Sequence, residues 1–156
     1  MRAKTIFSAL VIAPVSILRS WEKEAKKVIV HSCVPSLHIH VLTSQTQRKD
    51  RLRILRSALS GEKRTQHLII TSYGLVSNDP RDFVCGHQGF DYVVLDEAHK
   101  IKNDSTQVTS GCRRVCGCDN TRRLLLTGTP IQNNLKEMWV LFDFATSGRV
   151  LGAYRR

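Results

Sequence analysis

The sequence predicts an α/β domain: a parallel sheet with helices on both faces. Five short apolar runs have strand length, at Ala9–Ala13, Leu37–Leu42, Leu68–Thr71, Tyr92–Asp96 and Leu124–Thr127. Segments with helical spacing separate them, and strands alternating with helices favour parallel pairing. The 156 residues contain no internal repeat, low-complexity tract or linker, so they form one domain with a real core.

In chain order, the first strand runs into a helix over Ser16 to Lys27, with Ile17, Leu18 and Trp21 on one side and charges on the other. Gln47 to Leu59 is the second helix. Leu52, Leu55 and Leu59 recur on one side, Arg48, Arg51 and Arg56 face water, and Gly61 is the stop signal. Ser105 to Val115 is a weaker helix that Gly111 is expected to break. Leu135 to Ala145 places Leu135, Met138, Trp139 and Phe142 at helical spacing.

A net charge of +11 and a pI near 9.9 point to a polyanionic partner, with nucleic acid ahead of a membrane surface. A solvated basic face is the alternative. No apolar run reaches the length of a membrane span, because Pro14, Arg19 and Glu22 interrupt the one candidate. Arg2 and Lys4 before Ile6 to Ile12 have a targeting flavour, but a buried strand entering a helix accounts for these residues better. Five cysteines, an odd number, indicate a reducing compartment. Cys112, Cys116 and Cys118, with Cys85-x-His87 upstream, only half comply with zinc spacing and are read as unpaired thiols. Trp21 and Trp139 read as core rather than stacking platforms, and His31, His38, His40 and His67 show no ligand spacing.

Val93-Val94-Leu95-Asp96-Glu97-Ala98-His99 is an apolar strand ending abruptly in two carboxylates and a histidine. Open α/β sheets deliver ligand-binding groups at the carboxyl ends of their strands. A first acid there can organise Mg²⁺ while a second activates water against a phosphate. An acid pair capping the next helix is the plainer reading. A second buried-strand pattern, Leu124-Leu125-Leu126, ends in the polar turn Thr127-Gly128-Thr129-Pro130, and two such ends suggest one site. No G-x-x-x-x-G-K-[S/T] phosphate loop is present.

These stretches together resemble the first helicase lobe of the Swi/Snf-type DNA-translocating ATPases of helicase superfamily two. Val11-Ile12-Ala13-Pro14-Val15-Ser16-Ile17-Leu18 with Trp21 and Glu24 is similar to motif Ia, and Ile70-Thr71-Ser72-Tyr73 to motif Ib. Asp96-Glu97-Ala98-His99-Lys100-Ile101-Lys102-Asn103 resembles motif II, and Leu126-Thr127-Gly128-Thr129-Pro130-Ile131-Gln132-Asn133-Asn134 motif III. The tail Leu141-Phe142-Asp143-Phe144-Ala145 with Gly148 and Leu151-Gly152 is similar to the excision-repair, Cockayne syndrome B-like branch.

The resemblance implies a RecA-like lobe, incomplete as a P-loop NTPase fold, over residues 1–156. It also implies ATP and Mg²⁺ as cofactors, double-stranded DNA and chromatin as partners, and the nucleus as location. Asp96 would hold Mg²⁺ through water, Glu97 would activate the attacking water, and His99 would link motif II to motif III. Thr127, Gly128 and Thr129 would relay lobe closure beside the nucleotide, although Gly128 and Pro130 also explain a simple turn. Ser16, Ser72, Tyr73, Lys100 and Lys102 would meet the DNA backbone; an ordinary N-cap accounts for Ser16 almost as well.

The family's phosphate loop and second lobe have no counterpart in this sequence, so the chain reads as part of a motor and is expected to hydrolyse ATP poorly by itself. By the same resemblance the phosphate-loop strand would lie beside Leu124–Leu126, and its loss predicts an exposed apolar edge and marginal stability. A non-catalytic DNA- or partner-binding module is the alternative in another class. An RNA helicase lobe is disfavoured by Thr127-Gly128-Thr129-Pro130.

Overall fold

The structure, a computed structural model, describes residues 8–31, 37–60, 65–84, 89–118, 120–128 and 135–149. Five parallel strands form one sheet: β1 (Ser8–Ala13), β2 (Leu37–Leu42), β3 (Gln66–Ser72), β4 (Tyr92–Asp96) and β5 (Arg122–Leu126). Their spatial order is β2-β3-β1-β4-β5. All five are the apolar runs of the sequence, with ends moved by no more than two residues. The helices are α1 (Leu18–His31), α2 (Arg48–Leu59), α3 (Tyr73–Asn78), α4 (Gln107–Val115) and α5 (Leu135–Thr146). Short 3-10 turns occupy Val15–Ile17, Pro80–Phe83 and Ala98–Ile101.

Strand alternation sorts the core into two faces. Leu10 and Ile12 of β1, Ile69 of β3, and Val93 and Leu95 of β4 pack with residues of α2, α3, α4 and α5 in one large cluster. Val11, Ala13 and Ile70 point the other way and meet Leu18 of α1. Helices on both faces are therefore observed, four on one side and α1 on the other. The chain leaves β1 towards β2 and leaves β4 towards β5. The carboxyl ends of adjacent β1 and β4 thus form the switch point where open α/β sheets hold ligands.

Three local readings of the sequence need correction, and α5 needs its buried face assigned. Helix α1 starts after a 3-10 turn, at Leu18 rather than Ser16. Arg51 does not face water. Its side chain is 5% exposed and pairs with Asp82 at 2.8 Å and Asp79 at 2.6 Å, because the Pro80–Phe83 turn and the Asp79 that precedes it bring both acids to α2. Gly111 does not break α4. A side chain there would meet the Val76 carbonyl at 2.9 Å, so glycine lets α4 lie directly on the backbone of α3. In α5 the buried face is Val140, Leu141 and Phe144, whereas Leu135 and Phe142 are exposed. A helix apolar on most sides offers no unique buried stripe to periodicity.

Strand β5 is an edge of the described sheet, and its Leu124 is 48% exposed. Arg123 fastens it. Its guanidinium donates to the Phe144 carbonyl at 2.7 Å and the Cys116 carbonyl at 2.6 Å, and it lies over the Phe144 ring. Arg113 covers the same ring and pairs with Asp143 at 2.9 Å, closing α5 onto α4.

Candidate active site

Asp96 is the last residue of β4, at the switch point. Its two carboxylate oxygens have separate donors: the Glu97 amide reaches Oδ1 at 2.9 Å and the Trp21 indole Nε1–H reaches Oδ2 at 2.7 Å. The Tyr73 hydroxyl donates to the Asp96 backbone carbonyl at 2.8 Å. Burial pushes the Tyr73 phenol up, which keeps the proton it donates. No lysine or arginine pairs with the Asp96 carboxylate among the described residues. A fixed carboxylate with its charge uncompensated suits a hard cation that keeps much of its water. The described residues hold no group of three or more His, Cys, Asp or Glu side chains able to cage a metal.

Glu97 adopts the left-handed conformation, φ 55° and ψ 50°. That costs a residue with a Cβ about 1–2 kcal/mol, and such strain collects at functional positions. It ends the strand within one residue and turns the chain into the Ala98–Ile101 turn, leaving the Glu97 carboxyl 44% exposed. His99 Nδ1 lies 3.1 Å from Glu97 Oε2, at ion-pair distance but without hydrogen-bond geometry.

Strands β4 and β5 pair Asp96 with Leu126, so half-buried Thr127 and exposed Gly128 follow beside the acids. The two polar strand ends that the sequence suggested as one site are thus neighbours. Thr129 lies outside the described residues.

The remaining candidates divide. Ala13, Pro14, Ser72, Tyr73 and Lys100 line an open cleft of about 370 Å³ that joins the ends of β1 and β3 to the turn after Asp96. Ser16 is exposed in the turn after β1. Ser72 is 7% exposed and caps α3, its hydroxyl accepting the Leu75 amide at 3.3 Å. Tyr73 is 5% exposed, with its hydroxyl committed to Asp96. Lys100 is exposed, while Lys102 pairs with Glu137 in the first turn of α5 at 3.3 Å. A larger cleft, about 590 Å³, lies between Arg48, Asp82 and Arg114, away from the acids of motif II; size alone does not make it the site.

Two elements escaped the sequence reading. Trp21 does pack with the α1-side core, as expected, but it also holds Asp96 across 75 residues of chain, which no spacing reveals. The rings of His38, His40 and His67 stack with centroids 5.5–6.3 Å apart, because β2 and β3 pair His38 with His67. The thiols of Cys112 and Cys116 are buried, and burial pushes Cys116 up to about 12, so both stay neutral. Cys85 and His87 lie outside the described residues.

Comparison with known proteins agrees with this arrangement. Residues 2–152 match the family model described as the SNF2-related domain. The "DNA excision repair protein ERCC-6-like" of Danio rerio is 37% identical over 146 residues, covering 92% of this chain and 9% of that protein. "Protein CHROMATIN REMODELING 24" of Arabidopsis thaliana is 32% identical over 157 residues, 94% of this chain and 13% of that protein. The chain thus spans only about a tenth of the length of these relatives. Among solved structures, the "Sulfolobus solfataricus SWI2/SNF2 ATPase core in complex with dsDNA" superposes with a TM-score of 0.64 at 29% identity, covering 96% of this chain and 27% of that one. The Pyrococcus furiosus Hef helicase domain shares the fold alone, with a TM-score of 0.52 at 12% identity. With the sheet order, the strand-end acids and the family match in agreement, the chain belongs to the SNF2-related domain family.

Proposed function

We propose that this chain is the part of an ATP-dependent DNA translocase that presents the hydrolytic carboxylates and one stretch of the DNA track. The observation that carries the reading is the switch-point geometry: a fixed Asp96 beside a strained, exposed Glu97, with Leu126, Thr127 and Gly128 on the adjacent strand end. Asp96 would hold Mg²⁺, which supplies charge neutralisation on the nucleotide phosphates. Glu97 would take a proton from the attacking water, and His99 beside it would steer that carboxyl towards motif III. Thr127, Gly128 and Thr129 would close the nucleotide side.

Duplex DNA would lie along the cleft that joins the end of β1 to Lys100, touching phosphates through Ser16 and Lys100. Ser72 and Tyr73 would shape that cleft through the α3 cap and the tie to Asp96. Lys102 would act from its pair with Glu137. Support comes from the +11 charge and from the structural neighbour solved with double-stranded DNA. The relatives named for excision repair and chromatin remodelling favour chromatin as the setting and the nucleus as the location.

Two measurements test this. Duplex binding by the chain should weaken steeply with salt, and Lys100→Ala should reduce the salt slope by about 1. In a chimera carrying residues 1–156 in place of the matching segment of the Danio rerio relative, Glu97→Gln should cut DNA-stimulated ATP hydrolysis by about 10²–10⁴. Hydrolysis unchanged by that substitution overturns the catalytic assignment.

A further inference from the structure

We infer that Trp21 is the positioning residue of Asp96: its indole N–H fixes the carboxylate in the orientation that receives a divalent cation. The inference rests on the proposed metal role of Asp96. Its basis is the 2.7 Å contact from Trp21 Nε1 to Asp96 Oδ2, while the Glu97 amide holds the other oxygen, Oδ1, at 2.9 Å. A carboxylate at a strand end rotates about two bonds. One donor on each oxygen removes that freedom and leaves further lone pairs on both oxygens for metal-bound water.

The choice of an indole matters. A lysine or arginine at the same place would neutralise the carboxylate and compete with the cation, whereas Nε1–H is a neutral donor that leaves the full negative charge in place. Trp21 can serve this way because its ring body packs against the cluster of Val11, Ala13, Leu18 and Ile70 on the α1 face while its polar edge reaches the end of β4. Partners that orient a metal-binding carboxylate change metal affinity by about 10–100-fold when removed.

The 156-residue chain with ¹⁵N-labelled indoles tests both halves. It contains two tryptophans, and Trp139→Phe assigns the Trp21 signal. Asp96→Asn should move the Trp21 indole resonance upfield, since a neutral amide is a weaker acceptor, and leave the Trp139 signal in place. An unmoved Trp21 resonance overturns the inference. Mn²⁺, counted by the paramagnetic signal of the free ion, then probes the site.

Replacing the indole of Trp21 with its sulfur isostere, benzothiophene, keeps the ring volume and deletes only the donor. Mn²⁺ affinity should fall by about 10–100-fold. Unchanged affinity overturns the positioning role, and Trp21→Phe must show the same loss. Mn²⁺ binding that is undetectable, or that survives Asp96→Asn, overturns instead the metal assignment under Proposed function; the indole resonance then decides by itself whether Trp21 holds the carboxylate.

Discussion

The two faces of the sheet are built unequally. Among the described residues, a cluster of 21 buried residues, including Phe83, Phe90 and Phe144, lies under α2, α3, α4 and α5; under α1 the described cluster has four, flanked by half-buried Ile39, Val41, Leu68 and Val94. Both faces reach Asp96: Trp21 on the α1 face holds its carboxylate, and Tyr73 on the other holds its backbone carbonyl. The larger described core backs one side of the sheet, while the α1 side contributes one donor to a single carboxylate. Stability and positioning are therefore separable by mutation.

Adjacent residues Ile69 and Ile70 offer a matched comparison, since both are 0% exposed and point to opposite faces. Ile69→Ala should cost most, about 4 kcal/mol, because dense surroundings cannot collapse into the cavity. Urea unfolding measures it. Arg51→Ala should follow at about 3 kcal/mol, because Asp82, its side chain 4% exposed, loses one of its two guanidinium partners. Ile70→Ala should cost less, about 2 kcal/mol, as the lightly covered face relaxes around it. Equal losses at Ile69 and Ile70 would break the comparison and show the α1 face to be as rigid as the other.

The smallest expected effect is a pH dependence. Burial is the main cause holding His40 and His67 below the usual 6.5, with neighbouring imidazoles adding to it. The unfolded chain then binds protons more readily than the folded one. Stability from this pair is complete above pH 6.5 and declines as pH falls below it. Unfolding midpoints between pH 7.5 and 5.5 should show the decline, and His40→Gln with His67→Gln should flatten it.

What the sequence revealed follows from what its signals measure. Buried parallel strands are continuous apolar runs, so all five were legible and their carboxyl-end acids with them. Arg51 was misread because helical spacing reports which side a residue takes, not whether a carboxylate waits there. Gly111 was misread because a glycine within a helix signals equally a break or a close approach, and only the α3 backbone decides. The helical spacing of Leu135, Met138, Trp139 and Phe142 was sound, but it could not show which side is buried, since α5 has a second apolar face in Val140, Leu141 and Phe144. Trp21 was half legible: its packing followed from spacing, and its bond to Asp96 existed only once β1 and β4 lay side by side.

The left-handed backbone at Glu97 sets heat tolerance against the proposed catalytic role. A glycine would occupy that conformation without the Cβ penalty. A laboratory selection that rewarded only survival at high temperature would therefore be drawn to Glu97→Gly, and would remove the proposed catalytic base as it did so. A chain that keeps Glu97 keeps a locally disfavoured backbone at the mouth of its proposed site, with Ala98 and Ile101 of the same turn buried in the large core.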